Sequence, residues 1–138
     1  MKLWRRPRAG DEATSAAESA LEEVGLSSLA HQITGALSHG DKRKLELAIL
    51  LAAQARVLLL DEPMAGVNTE DVPLLTALIG RLHSEGRTVL MVEHHMAVIV
   101  GLAQKVAVLD FGRLLACGEP EEVMANETVQ AAYLGEPL

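Results

Sequence analysis

Apolar and polar positions change period several times along the chain, and this change predicts strands and helices in turn. Three short apolar runs of the kind that form buried strands lie at 57–60, 88–92 and 106–109. Stretches with helical spacing separate these runs, as in chains whose parallel strands are linked by helices. The pattern therefore predicts an α/β fold built on a parallel sheet with right-handed crossovers.

The helices are predicted from apolar residues three and four positions apart. They are expected at 11–24, 41–54, 70–83 and 96–103, with two short helices between 119 and 133. In the second helix Leu45, Ala48 and Ile49 define an apolar stripe, which neighbouring leucines widen towards full burial. The segment 110–113 is typical of a hairpin turn whose return strand is 114–117.

Composition narrows the possible function classes only modestly. The 138 residues are 49% hydrophobic, which is enough for one domain with a core. A formal charge of -7 argues against a nucleic-acid partner, because such proteins usually present a basic face. The single cysteine, Cys117, excludes an internal disulfide and fits a reducing compartment. The most apolar stretch, 45–60, is interrupted by polar residues, so we expect no membrane span.

Basic residues near the N-terminus allow two interpretations. They are Lys2, Arg5, Arg6 and Arg8. Because they run into Asp11 and Glu12 rather than an apolar segment, we do not expect a signal peptide. The charges form either a solvated arm or a contact with an anionic membrane surface.

Two adjacent carboxylates follow the first apolar run. Asp61, Glu62 and Pro63 come directly after the strand 57–60. The carboxyl end of a parallel strand is where such sheets bind ligands. Two acids at the edge of a dry core are costly unless a cation uses them. A magnesium ion with its nucleotide, and a water awaiting deprotonation, would do so, and the segment predicts a phosphoryl-transfer site.

A second candidate segment, 37–41, precedes the long helix. Gly40 would let the backbone approach a ligand closely, and the helix start offers free N–H groups aligned with its dipole. Together with the Ser38 hydroxyl, these groups suit a terminal phosphate. Ser38 and Asp41 are also spaced as a plain helix cap, and the sequence leaves both interpretations open.

A third candidate, His94, follows the second apolar run. It could polarise a γ-phosphate or orient an attacking water, or it could be a structural histidine without a role. Metal binding by His94 and His95 is less favoured, since neighbouring residues point in different directions. Three further histidines are left unassigned. They are His31, His39 and His83.

The order and spacing of these segments resemble those of ABC transporter ATPases, most of all the branched-chain amino acid importers. The resemblance covers about 11–134 and corresponds to the C-terminal half of the family's nucleotide-binding domain. It implies a partial P-loop NTPase-type ABC ATPase fold in a single partial domain. Its parts would be a helical signature region (11–55), an α/β core from Walker B to the switch histidine (56–110), and a C-terminal hairpin with helices (111–138).

The resemblance assigns roles to the residues at the strand ends. By this resemblance Asp61 is the Walker B aspartate, which holds Mg²⁺ through water. Glu62 corresponds to the catalytic glutamate that polarises the attacking water. His94 corresponds to the switch histidine that contacts the γ-phosphate. The implied cofactors are therefore ATP and Mg²⁺.

The resemblance also implies partners. Ser38 and Gly40 match the signature motif, which closes over ATP held by a second ABC ATPase subunit. Asn68 lies in the segment 65–68, which matches the D-loop and contacts the same partner. Integral membrane permease subunits would hold the dimer at the cytoplasmic face of the plasma membrane. A periplasmic binding protein would act indirectly through them.

The sequence departs from the family pattern at several points. His39 stands where glycine is most common, Asp41 where glutamine is usual, and Asn68 replaces the more common aspartate. No stretch reads GxxxxGK[ST], the Walker A loop that cradles phosphates. The adenine-stacking aromatic residue and the glutamine loop are missing as well. We therefore expect this chain alone to bind ATP weakly or not at all.

The sequence leaves three function classes open: the C-terminal part of an importer ATPase, a catalytically inactive remnant that docks on an intact subunit, and an unrelated acidic regulator. In the family the Walker A strand lies between the strands at 88–92 and 106–109. Without it, either those strands close together, or another chain fills the gap, or the fragment is marginally stable.

Overall fold

The structure is a computed structural model and describes residues 11–134. The basic N-terminal arm and the last four residues of the predicted part 111–138 lie outside the described range. In chain order the elements are α1 (Glu12–Glu23), α2 (His39–Ala52), β1 (Val57–Asp61), α3 (Val72–Ser84), β2 (Thr88–Val92), α4 (Met96–Leu102), β3 (Val106–Asp110), β4 (Arg113–Gly118), α5 (Pro120–Met124) and α6 (Glu127–Leu134). Short 3₁₀ turns at Ser27–Leu29 and Thr34–Ala36 join α1 to α2.

The chain divides into two compact units, the first ending at Val92 and the second beginning at Glu93. In the first unit β1 and β2 form a parallel pair, with Val57 opposite Thr88 and Asp61 opposite Val92. The helix α3 connects the two strands, and α1 packs against α2. The predicted α/β class and the predicted parallel pairing are therefore confirmed.

The core of the first unit is made of aliphatic side chains from both strand and helices. The largest side chains that are fully buried are Leu26, Leu58, Met64, Leu75, Ile79 and Leu82. Since α3 supplies half of them, it forms the main apolar support of this unit. Leu58 anchors β1 in that core, and Met64 anchors the segment that follows the strand.

The prediction that the strands are buried on both faces is wrong for the described chain. Leu58 is 1% exposed, whereas Leu59, its neighbour on the opposite face, is 69% exposed. On β2, Leu90 and Val92 are 63% and 61% exposed. An unbroken apolar run does not reveal whether a covering layer exists on each face. The side chains on the face that contains Leu59 and Leu90 are therefore mostly exposed in the described part of the chain.

The buried face of α2 also differs from the predicted one. Its buried apolar residues are Leu47, Ala48 and Leu51, while Ile49 is 61% exposed. The helix begins at His39, two residues before the predicted start. The predicted apolar stripe lies one residue too far around the helix. Leucines occupy several adjacent positions of α2, and tertiary packing selects which of them are buried.

The third helix begins later than predicted. It starts at Val72, so Glu70 and Asp71 precede the helix instead of occupying its first turn. The carbonyl of Asn68 accepts hydrogen bonds from the amides of Asp71 and Val72, at 2.9 and 3.2 Å. These bonds form a turn of their own and delay the helix start.

The second unit contains the predicted hairpin and the two short terminal helices. The strands β3 and β4 are antiparallel, with Asp110 opposite Arg113. Phe111 and Gly112 both have positive φ, 42° and 78°, as a two-residue type I′ turn requires. In the described chain β2 pairs with β1 in the first unit, and β3 pairs with β4 in the second.

The helices of the described chain are short. The longest, α2, has 14 residues, whereas a bilayer span needs about 20 apolar residues. Among residues 11–134, none of the helices has both the length and the apolarity to cross a membrane.

Candidate functional site

The start of α2 is closed by a local hydrogen-bond pair. Ser38 is the N-cap, and its Oγ accepts a hydrogen bond from the Asp41 amide at 3.1 Å. The same hydroxyl donates to Asp41 Oδ2 at 2.7 Å. The cap interpretation of Ser38 and Asp41 is therefore confirmed. Binding of a phosphate at this helix start stays a prediction.

Gly40 is buried in the first turn of α2 and faces a carboxylate. A Cβ atom at this position would lie 3.1 Å from Asp71 Oδ2. A side chain of the same chain thus lies close to Gly40, and the approach of a ligand to its backbone stays a prediction. The sequence places Asp71 in the first turn of the third helix, where it would complement the helix dipole, and it does not predict this proximity, because Gly40 and Asp71 are about thirty residues apart.

His39 links the same helix start to the segment that follows β1. Its Nδ1 lies 3.7 Å from the position that a Cβ atom of Gly66 would occupy. Gly66 has φ of 72°, a left-handed conformation that glycine adopts without steric cost. The structure therefore brings the segment 37–41 beside the segment 65–68. The sequence leaves His39 unassigned, and the structure places its side chain near Gly66.

Asp61 and Glu62 emerge at the carboxyl end of β1, as predicted. Both side chains are exposed, while Pro63 and Met64 behind them are buried. Glu62 has φ of 43°, which a residue with a side chain rarely adopts. Its amide donates to the Val92 carbonyl and its carbonyl accepts from the Ala65 amide, each at 2.9 Å.

This backbone conformation was not predicted. Left-handed non-glycine residues typically cost about 1–3 kcal/mol and occur often at functional sites. The sequence offered no signal for it, because a residue before proline, here Glu62 before Pro63, is biased towards extended conformations and not towards positive φ. The hydrogen bonds on both sides fix the turn, which presents the Glu62 carboxylate to solvent. Exposed carboxylate oxygens are the donor class that Mg²⁺ prefers, so Asp61 and Glu62 fit that ion.

A cavity of about 240 Å³ lies beside Asp61, between α2 and β1. Its walls are mainly apolar, from Leu47, Leu50, Leu59, Leu60, Pro63 and Leu75. The basic residue in its lining, Arg43, is paired with Glu46 at 2.8 Å. Lys44 lies 3.8 Å from Asp41 on the same helix. These cations are engaged within α2, and the cavity lacks the character of a phosphate cradle.

His94 lies two residues beyond β2, in the second unit, with an exposed side chain. Its amide donates to Glu93 Oε2 at 2.9 Å, and its ring centroid is 4.5 Å from that of His95. Potential ligand atoms of Glu93, His94 and His95 lie within 4.8 Å of one another. The expectation that these neighbouring side chains point in different directions is therefore wrong for this turn, and the Glu93 oxygen in the group also accepts N–H bonds from the His94 and His95 amides.

The chain is similar to known families over both of its ends. Residues 2–65 match the family model described as ABC transporter. Residues 113–137 match the model described as branched-chain amino acid ATP-binding cassette transporter. The first match contains the segments 37–41 and 61–63, and His94 lies between the two matches.

Curated proteins and solved structures agree with these matches. The high-affinity branched-chain amino acid transport ATP-binding protein BraF of Pseudomonas aeruginosa is 41% identical over 97% of this chain and 54% of its own length. LivG of Salmonella typhimurium, with the same description, is 39% identical over 94% of this chain and 51% of its own length. A crystal structure of an ATP-binding cassette of an ABC transporter, in its ADP conformation, has a TM-score of 0.86 at 27% identity.

That structure is matched over 98% of this chain and 54% of its own chain. The predicted partial cassette fold is thereby confirmed. The chain spans about half the length of the curated relatives that it matches.

Proposed function

We propose that this chain, which belongs to the ABC transporter ATPase family, is the C-terminal part of an ATP-hydrolysing subunit of a branched-chain amino acid importer. One observation carries the proposal. Asp61 ends a parallel strand, and Glu62 follows it in a fixed left-handed turn that leaves both carboxylates exposed. That arrangement suits a metal ligand followed by a general base.

Asp61 would hold Mg²⁺ through water, and this ion would neutralise phosphate charge when it is bound with ATP. Glu62 would accept the proton of the attacking water as general base. The bonds to Val92 and Ala65 fix the backbone from which the Glu62 carboxylate projects. His94 would contact the γ-phosphate through its exposed imidazole.

Ser38, Gly40 and Asn68 would act on ATP held by a second subunit. The Ser38 hydroxyl now donates to Asp41 Oδ2, and it would have to turn from that oxygen to reach a phosphate. Asn68 has an exposed side chain and would contact the partner subunit. The proximity of His39 Nδ1 to Gly66, 3.7 Å from the position that a Cβ atom of this glycine would occupy, supports this assignment, because it places the two segments side by side.

The uncovered sheet face supports the proposal that further protein completes the fold. Val57, Leu59, Leu90 and Val92 form a continuous apolar face whose members are each more than half exposed. Apolar area of this kind is stabilised when another layer covers it. A Walker A-bearing N-terminal half, in the same polypeptide or another, would supply that layer and the phosphate grip.

The complete subunit would work as a dimer with integral membrane permeases at the cytoplasmic face of the plasma membrane. Hydrolysis in the dimer would drive transport, and a periplasmic binding protein would deliver the amino acid. The three segments 11–55, 56–110 and 111–138 would serve as signature region, catalytic core and C-terminal support.

The test is to join this chain to a Walker A-bearing N-terminal half of an ABC ATPase and to measure phosphate release from MgATP. We expect turnover, and we expect Glu62→Gln to reduce it by ~10²–10⁴-fold while nucleotide binding is retained. Glu70→Gln is the matched control, because Glu70 is also an exposed glutamate in the segment that follows β1. Equal turnover in the wild type and Glu62→Gln would contradict the proposal.

A second candidate is a catalytically inactive remnant that docks on an intact ATPase subunit. Both candidates predict that the 138-residue chain alone binds MgATP weakly or not at all, as calorimetry can establish. They differ after joining, because a remnant stays inactive. Micromolar affinity for MgATP in the isolated chain would contradict both.

A further inference from the structure

The first residue of the second unit, Glu93, is an acid with a buried side chain. That side chain is only 1% exposed. Its Oε2 accepts hydrogen bonds from the His94 amide at 2.9 Å and from the His95 amide at 3.1 Å. The same oxygen lies 2.8 Å from Nδ1 of the His95 ring. Three N–H donors thus converge on one carboxylate oxygen.

The three bonds compensate for the burial of the Glu93 carboxylate. A carboxylate removed from water is costly unless hydrogen bonds replace its hydration, and bonds to an ionised acceptor are strong. Two of the three donors are backbone groups at the start of α4, whose N-cap, His95, makes no side-chain capping bond. Glu93 therefore satisfies the amides of the N-cap residue and of the residue before it. It fixes the turn on which His94 lies.

We propose that Glu93 is a positioning residue for His94. Its carboxylate restrains the His94 backbone, so that the imidazole leaves the turn from a fixed point. The inference rests on the proposed function, in which His94 contacts the γ-phosphate. Glu93 itself touches no reacting atom in this scheme, and its effect on the reaction passes through His94 alone.

The geometry also predicts how the effect of replacing His95 compares with the effect of replacing Glu93. Replacing the His95 side chain removes one of the three bonds, whereas both backbone bonds remain. Replacing Glu93 removes all three. If the carboxylate served mainly to orient the His95 ring, for a metal or another ligand, the two replacements would have equal effects. The restraint on His94 predicts instead that the His95 variant is much milder.

The kinetic test uses the joined cassette described above and three variants: Glu93→Ala, His94→Ala and the double variant. We expect Glu93→Ala to lower kcat by ~10–10²-fold, the usual effect of a small misplacement, with KM for ATP changed by less than about threefold. In the His94→Ala background the second substitution is expected to have no further effect on kcat, because residues that act as one unit are not additive. Multiplied losses would overturn the inference.

Two variants serve as controls. Glu119→Ala removes an exposed glutamate that is the N-cap of α5 and makes no side-chain capping bond, so kcat is expected to stay unchanged. His95→Ala is expected to lower kcat by less than about threefold. A His95→Ala loss equal to that of Glu93→Ala would overturn the proposed route through the His94 backbone.

A second measurement uses the 138-residue chain itself. Amide hydrogen exchange at His94 and His95 is expected to be at least about tenfold faster in Glu93→Ala than in the wild type, and unchanged in Glu119→Ala. If Glu93→Ala does not fold, Glu93→Gln takes its place, because it keeps an acceptor oxygen but loses the charge. Unchanged exchange in both would overturn the inference whatever the activity. A joined wild type that does not hydrolyse ATP would instead contradict the proposed function, and the role of His94 with it.

Discussion

Two glutamates follow the two strands of the parallel pair, and the structure treats them in opposite ways. Glu62, after β1, has an exposed carboxylate on a left-handed backbone. Glu93, after β2, has a carboxylate that is 1% exposed and accepts three N–H bonds. The same residue type in matching sequence contexts therefore has two different structural states.

The comparison shows how a carboxylate becomes available for chemistry. The hydrogen-bonding capacity of Glu93 is engaged by its own chain, so its carboxylate stabilises structure. The left-handed turn at Glu62 points the carboxylate to solvent, and the backbone carries the cost of this placement. Whether the carboxylate of a glutamate at a strand end is exposed depends here on the backbone conformation, and the residue type alone does not determine this exposure.

The largest expected effect concerns the strand that presents Glu62. Leu58 is buried and Leu59, the next residue, is mostly exposed. We expect Leu58→Ala to destabilise the 138-residue chain by ~2–5 kcal/mol, since it leaves a cavity. Leu59→Ala is expected to change stability by less than about 0.5 kcal/mol. Urea unfolding of the two variants checks this, and equal losses would show that both faces of β1 are covered.

An intermediate effect distinguishes the two glutamates directly. Glu93→Ala leaves backbone N–H groups at the start of α4 without their acceptor, which is expected to cost about 1–3 kcal/mol of unfolding free energy. Glu62→Ala removes an exposed carboxylate and is expected to cost less than about 0.5 kcal/mol. Thermal or urea unfolding measures both changes. A greater loss in Glu62→Ala than in Glu93→Ala would reverse the structural comparison.

The sequence predicted those features that depend on local rules. Parallel strands followed by acids, the Ser38 cap and the hairpin turn at Phe111 and Gly112 each depend on a few neighbouring residues. Such patterns are visible in the order of residue types. The element bounds were accordingly within about two residues of the structure for most helices and strands.

Features that depend on packing between segments distant in the sequence could not be predicted in the same way. The apolar run 57–60 has the same pattern whether one face or both are covered, so the exposure of Leu59 could not be predicted. The contact of Asp71 with Gly40 joins distant segments. The burial of Glu93 had one available signal: an acid placed shortly before a helix start often caps that helix. Charge alone suggested an exposed side chain instead.

The smallest expected effect isolates the backbone conformation of Glu62. Glycine adopts positive φ without steric cost, so Glu62→Gly relieves strain and also gives the unfolded chain more freedom. We expect a net stabilisation of about 0.5–1 kcal/mol, together with loss of turnover in the joined cassette, because the carboxylate is removed. Glu70→Gly is the control: Glu70 has no positive φ, so glycine there is expected to destabilise slightly.

The expected changes in stability have opposite signs in Glu62→Gly and Glu70→Gly, and this makes the small effect informative. A residue that serves only the fold is replaced at a loss of stability, whereas a residue placed for chemistry can be replaced with a gain. Stabilisation in Glu62→Gly with loss in Glu70→Gly would therefore identify the turn after β1 as a position where the fold tolerates strain to present a carboxylate. Destabilisation in both variants would mean that the left-handed turn at Glu62 carries no such cost.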